Sequence, residues 1–305
     1  MKPILVSGLI NVEVTLQVEG FPIAYTPVRY PFFGVSSAVA GVGYNVAKAL
    51  ATLGDAVRFA SITGQDLAGG QVLAALDEAG ISREFVVTGV RQTPQSVILY
   101  DREGRRQINV DLKDMQEQVY PPEGFAAALA GCDLAILGNI NFARPFLAAA
   151  RAAGTRIATD VHAIADLDDA YNRDFMAQAD ILFMSHERLP VAPEEWVDAV
   201  LARYGPEIVV VGLGAAGALL AVRAGGFRGR FAAVPTRPVA NTIGAGDALF
   251  SAFVHFYNRA PDPYQALQKA LVFASYKIGE SGAASGFLTA PQLDALYAEV
   301  AHGQP

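Results

Sequence analysis

Short, mostly apolar runs recur along the chain at residues 4–6, 57–60, 134–137, 156–159, 181–184 and 208–211. Between most of them the pattern changes to a helical period rich in Ala and Leu, as at 45–53, 70–79 and 143–153. Runs without polar alternation read as strands buried on both faces. Strands alternating with helices predict a parallel sheet covered on both sides.

Two stretches break this alternation. Val12, Val14, Leu16 and Val18 recur at period 2 and lead into a passage with Tyr25, Pro27, Tyr30, Pro31, Phe32 and Phe33. Residues 96–110 read as a hairpin turning at Glu103-Gly104. Neither stretch has a helix to cover it. They form either two surface hairpins or, from about 12–35 and 94–112, one small sheet acting as a lid that excludes water from transfer chemistry. Packing within that sheet is the expected role of the aromatics, with stacking on a nucleobase or sugar face as the alternative.

Composition narrows the class. The 305 residues are 52% hydrophobic and 17% charged, which excludes a disordered chain. The net charge of −7, with Lys and Arg scattered, excludes a basic nucleic-acid footprint. A single cysteine, Cys132, rules out an intramolecular disulfide or a cysteine metal cluster. His162 and His186 lack metal-ligand spacing and read as structural or loop residues. The longest apolar run, 208–222, falls short of a membrane span and is interrupted by Gly212, Gly214 and Gly217. Gly8, Asn11 and Glu13 break the first apolar run before it resembles a signal peptide. The expectation is one cytoplasmic domain over residues 1–305.

Gly212-Leu-Gly-Ala-Ala-Gly217 is a literal G-x-G-x-x-G after a strand. Dinucleotide binding would need a following helix and an acidic residue about 20 positions on. Here a β-hairpin turning at Gly225-Gly226 follows, and no Asp or Glu occurs between Glu207 and Asp247. The dehydrogenase reading fails. The same interval carries Arg223, Arg228, Arg230 and Arg237, which suits either solvated hairpin arginines or a place where a polyphosphate lies.

Two glycine loops feed helices: AGVGYNVAKALATLG from Ala40, and ANTIGAGDALFSAF from Ala240. Backbone N–H groups at such mouths attract anions. Asp247 should repel a phosphate there. It serves either as a helix cap, worth roughly 1 kcal/mol, or as the base that takes a proton from a hydroxyl nucleophile. Asn45 likewise reads as a cap or as a ligand contact.

The first loop followed by ASITG (60–64), together with NTIGAGDALFSAF, resembles the two signature segments of the ribokinase-like, or PfkB, carbohydrate kinase family. The similarity extends to GLINVE (8–13), the 96–110 hairpin and the strand-turn-strand at 211–222. The resemblance implies a ribokinase-like three-layer α/β/α sandwich with a mostly parallel central sheet and a small β-sheet lid. It also implies ATP with Mg²⁺ as phosphoryl donor, and a small hydroxylated acceptor. Carried over by position, Asp247 is the catalytic base, and Gly244, Ala245 and Gly246 are the backbone donors of the anion hole. Asn11, Glu13, Gly41 and Asn45 fall where the family binds sugar hydroxyls. Ser185, Gly212, Gly214 and Gly217 fall along the nucleotide. The lid sheet could pair with another copy into a homodimer, as it does in some members.

Three departures mark this chain. Asn241 stands where the family usually has the Asp that in some members helps hold an activating monovalent cation, so that activation is not carried over. The Asn-x-x-Glu motif linked to Mg²⁺ reads Ser185-His-Glu-Arg188, which puts Glu187 one place early. Glu13 replaces a shorter Asp. The expected activity is ATP-dependent phosphorylation of a sugar or sugar-like alcohol. A nucleoside kinase and a catalytically silent binding relative are the alternatives, and Val42, where phosphosugar-specific relatives carry Lys, speaks against a phosphosugar acceptor.

Overall fold

The computed structural model describes residues 2–303. The chain starts with β1 (Ile4–Ser7), β2 (Asn11–Gln17) and β3 (Val35–Ala40), then α1 (Val42–Thr52), β4 (Val57–Thr63) and α2 (Leu67–Glu78). β5 (Val86–Thr88), β6 (Gln95–Tyr100) and β7 (Arg106–Asp111) precede α3 (Pro122–Leu129). Strands and helices then alternate: β8 (Leu134–Leu137), α4 (Pro145–Ala152), β9 (Arg156–Ala163), α5 (Arg173–Gln178), β10 (Ile181–Ser185), α6 (Pro193–Tyr204) and β11 (Ile208–Gly212). The hairpin β12 (Ala218–Val222) and β13 (Phe227–Phe231) leads to α7 (Ala245–Arg259), α8 (Pro263–Lys277) and α9 (Ala290–Gly303).

Nine strands form one sheet in the order β13-β12-β11-β10-β9-β8-β1-β4-β5. Pairing is parallel from β11 through β5, and the β12–β13 hairpin closes one edge antiparallel. The apolar runs explain why both faces are covered. In β1, Ile4 and Val6 pack to one side and Leu5 to the other; in β10, Ile181 and Phe183 oppose Leu182 and Met184. Helices α1, α2, α7, α8 and α9 cover the first side and α3 through α6 the second. All six predicted strands lie in this sheet, in the expected three-layer α/β/α arrangement.

The two stretches that broke the alternation meet in a four-stranded sheet, β3-β2-β6-β7. β2 and β6 run parallel, each flanked by an antiparallel edge strand. The unforeseen member is β3, VSSAVA, whose small and mostly exposed residues carry no strand signal; pairing with β2 holds it extended. Burial in β2 reverses the usual rule. Polar Asn11, Glu13 and Thr15 are buried, whereas Val14 and Leu16 are only half-buried. Ala40 and Ile98 of this sheet pack with Ile243 and Ala283, so the sheet rests against the loop that enters α7.

One expectation is corrected. Tyr25, Tyr30, Phe32 and Phe33 do not pack into the small sheet. All four are largely exposed, and only the Tyr30 and Phe32 rings stack on one another, 6.3 Å apart. In the acid-free arginine run, three of the four arginines find acids on neighbouring elements. Arg228 pairs with Asp198 and Arg230 with Glu194, both acids on α6, and Arg237 donates to the Tyr276 carbonyl and pairs with Glu280. The acids absent from the local sequence are supplied by neighbouring elements. Among the described residues no helix is long and apolar enough to cross a membrane.

Candidate active site

The entrance to α7 shows what Asp247 does not do. The N-cap of this helix is Gly244, in the left-handed region at φ 74°, and no side chain caps it. A side chain at Gly244 would be strained there, and its Cβ would stand 2.5 Å from the Ala283 carbonyl oxygen, so glycine is required. Asp247 is the third residue inside the helix. Its carboxylate oxygen Oδ2 instead accepts a hydrogen bond from Asn45 Nδ2 of α1 at 2.6 Å, across 202 positions of sequence. The capping reading is thereby overturned for Asp247, and Gly41, not Asn45, caps α1.

Around this pair the predicted acceptor residues converge. Asn11 donates to Ser96 Oγ at 3.1 Å, and Gly41 lies directly behind it, where a Cβ would fall 3.1 Å from Asn11 Oδ1. Glu13 shares the field of Asp247. Burial, reinforced by the Asp247 charge and opposed by Lys277, raises the Glu13 carboxyl from 4.5 to about 7. Burial also pushes the Asp247 carboxyl up, against the Asn45 hydrogen bond, His162 and Lys277, and with a smaller push from Asp160. Ser7 Oγ, Asn11 Oδ1 and Asn45 Oδ1 are buried with no hydrogen-bond partner. Each orphan costs about 1–3 kcal/mol, a debt that hydroxyl donors of a bound ligand would remove.

Three residues of this site escaped the sequence reading. Asp160 on β9 is 8% exposed, and its Oδ2 lies 4.0 Å from where a Cβ on Gly246 would stand. Arg106 on β7 reaches from the small sheet to the side-chain hydroxyl of Thr242 and lies 3.5 Å from Glu187 Oε1. Lys277, the last residue of α8, is fully buried and donates to the Ile243 carbonyl. None has a local sequence signal: each is an ordinary charged residue in a strand or helix pattern.

The residues expected to lie along the nucleotide form a second group. Ser185 ends β10, and its Oγ accepts from the Glu187 N–H at 3.2 Å. The His186 ring joins the Gly212 carbonyl at 2.9 Å, which ties this turn to the loop after β11 and gives His186 the structural role expected of it. Gly214 opens a short turn at φ 59°. Gly217 answers to packing: a Cβ there would stand 2.0 Å from the Phe231 carbonyl oxygen of β13. Asn241 is spent on the loop itself, donating to the Ser281 carbonyl at 2.7 Å and accepting from the Ile243 N–H at 3.0 Å.

Among the described residues, no three His, Cys, Asp or Glu side chains stand together as a metal cage. Of the site's carboxylates, Asp160 lies beside the glycine loop and Glu187 meets Arg106. A hollow of about 590 Å³ between α3 and α4 contains none of these residues.

A mostly parallel α/β/α core with a small second sheet is the ribokinase-like fold. The chain belongs to the pfkB family of carbohydrate kinases, whose family description matches residues 1–290. It is accordingly a carbohydrate kinase, with ATP as phosphoryl donor. It is 28% identical over 305 residues to the ATP-dependent ribose-1-phosphate kinase of Halopiger xanaduensis, covering 98% of each chain. It is also 28% identical over 275 residues to the 1-phosphofructokinase of Rhodobacter capsulatus, covering 79% of this chain and 80% of the other. Among solved structures, the microbiome-derived acarbose kinase Mak1 superposes with a TM-score of 0.87 at 28% identity, over 98% of this chain and 99% of that one.

Proposed function

We propose that this kinase transfers the γ-phosphoryl group of ATP to a hydroxyl of a neutral sugar or sugar-like alcohol, with Asp247 as base and residues 244–247 as the anion hole. The observation that carries the reading is Asp247 itself. Its carboxylate is buried at a cost, takes no capping bond, and is aimed by Asn45 beside Glu13. The acceptor hydroxyl gives its proton to Asp247, and its oxygen forms the new bond to the γ-phosphorus. The bond from that phosphorus to the β,γ-bridging oxygen breaks, and ADP leaves with the electron pair. Backbone N–H groups of Gly244, Ala245 and Gly246 hold the charge of the moving group. A carboxyl pushed upward is a stronger base, which suits proton removal near neutral pH. Mg²⁺ bound with the nucleotide supplies charge neutralisation at the phosphate oxygens.

The orphaned acceptors of Asn11 and Asn45, together with Glu13, receive further acceptor hydroxyls. ATP runs along Ser185, Gly212 and Gly214, and the small sheet serves as the lid. Two relatives are named for sugar-phosphate acceptors. At this site, however, the acceptor residues are the carboxylate Glu13 and the uncharged Asn11, Gly41 and Asn45, and Val42 adds no charge, so a neutral acceptor is favoured.

Arg106 closes the lid over the transferring group from its position between Thr242 and Glu187. Its ion pair with Glu187 is partly exposed and worth at most about 1 kcal/mol to folding. Arg106→Met should therefore melt as the wild type does, yet lose roughly 1.5–3 kcal/mol of charged hydrogen bonding to the phosphates, about 10–100-fold in kcat/KM. A variant with full activity would remove Arg106 from the site. The reading as a whole is tested by acceptor-dependent ADP release from Mg·ATP across neutral sugars, glycosides, nucleosides and sugar phosphates. Turnover confined to sugar phosphates would overturn the neutral acceptor. No turnover with any acceptor, alongside intact ATP binding, would favour a silent ligand-binding relative.

A further inference from the structure

We propose that Lys277 is a built-in cation of this site: its ammonium, seated on the Ile243 carbonyl beneath the anion-hole loop, stands in for a free monovalent cation, so the enzyme needs none. The inference rests on the proposed role of residues 244–246 as the anion hole.

Lys277 is 0% exposed, makes no ion pair among the described residues, and donates to the Ile243 carbonyl oxygen. Burying an ammonium without a bonded partner charge is costly. An apolar side chain of similar length would fill the space without that cost, so packing alone does not account for it. The location does. Ile243 is the residue immediately before Gly244, and the stretch leading to it is tied down from the same side. Ala240 N–H donates to the Ile278 carbonyl at 2.8 Å, and Asn241 Nδ2 to the Ser281 carbonyl at 2.7 Å. The end of α8 is thus the floor of the loop, and Lys277 is its charged contact.

The surroundings suit a cation. Asp247, Glu13 and Glu280 favour the charged form of Lys277 and Arg106 opposes it; burial outweighs them and lowers the group to about 8, so the ammonium still prevails at neutral pH. The monovalent cation that some relatives use does not fit here. Asn241 offers no negative charge, both of its side-chain polar atoms are engaged within the loop, and the Ile243 carbonyl already receives an ammonium. An ammonium on a main-chain carbonyl holds that carbonyl as a potassium ion would, with the charge tethered to the fold. Lys277 is therefore a positioning residue. It orients the Gly244–Gly246 amides and offsets the two acids beside them without touching the reacting atoms.

The test compares wild type, Lys277→Ala and Lys277→Met in potassium, ammonium, methylammonium and tetramethylammonium chloride. Turnover is read as ADP release from Mg·ATP with the acceptor from the screen above or, lacking one, with water. Wild-type turnover should be the same in all four salts. Lys277→Ala in tetramethylammonium should lose about 10²-fold in kcat, the scale of a small misplacement of a catalytic group, with the KM for ATP little changed. Ammonium or methylammonium should restore much of that loss in Lys277→Ala but not in Lys277→Met, whose side chain fills the space. The melting temperature supplies a readout independent of catalysis: ammonium should raise that of Lys277→Ala and leave wild type unmoved. Activation of the wild type by potassium would overturn the proposal, as would a folded Lys277→Ala with full turnover and no response to ammonium. Should neither variant fold, the salt response of the wild type decides. If wild type turns nothing over, the kinase reading has failed and melting alone decides whether Lys277 occupies a cation position.

Discussion

Asp247→Asn lowers kcat for acceptor phosphorylation by about 10²–10⁴-fold, the contribution of a positioned general base, while the protein stays folded and binds ATP. The isosteric amide keeps an oxygen for Asn45 Nδ2, so the link between α1 and α7 survives. It removes the carboxylate that α7 itself presents at its mouth to take the hydroxyl proton. Stability distinguishes this from a structural role. A lost cap costs about 1 kcal/mol, but Gly244 is the cap and Asp247 makes no capping bond. Because burial raises the Asp247 carboxyl, its ionised form is a burden to the fold, and the Asn variant should melt at the wild-type temperature or above it at neutral pH. A destabilised variant with unchanged activity per folded molecule would sink the base assignment. Steady-state kinetics and thermal melts on the same preparation check both halves.

Glu13→Gln is expected to stabilise the protein and impair it together. The folded Glu13 carboxyl lies at about 7, above the ordinary 4.5 it regains on unfolding. A raised carboxyl binds more protons folded than unfolded between those values, so stability falls as pH rises through that window. Above it, the ionised group costs about 3–4 kcal/mol, from roughly 1.4 kcal/mol per pKa unit. The Gln variant has no such cost. It should match wild type below about pH 4 and melt several degrees higher near pH 8. In activity, the acceptor KM should rise far more than the KM for ATP. Equal effects on both KM values would remove Glu13 from the acceptor pocket, and a variant less stable at both pH values would refute the burial argument.

Much of the fold was legible in the chain because the signals are local. An apolar run needs no knowledge of its neighbours to declare itself buried on both faces, and the turns at Glu103-Gly104 and Gly225-Gly226 carry their own backbone chemistry. β3 was missed for the same reason: VSSAVA is extended only because β2 lies beside it. The arginine run shows that charge balance is settled in space; the acids that pair with Arg228, Arg230 and Arg237 sit on α6 and beside α8. Exposure of the loop aromatics likewise depends on what happens to pack nearby.

The sequence by itself determined the layered α/β class, the two glycine loops and the choice of Asp247 as the carboxylate to explain, since periodicity and glycine placement act over a few residues. Only the tertiary structure decided that Gly244 and not Asp247 caps α7, that Asn45 aims the carboxylate, and that the polar side of β2 is the buried one. It alone brought Asp160, Arg106 and Lys277 to the same loop. The reason is electrostatic and geometric. A buried charge takes its meaning from groups a few ångströms away, and here those groups lie as many as 202 positions apart along the chain.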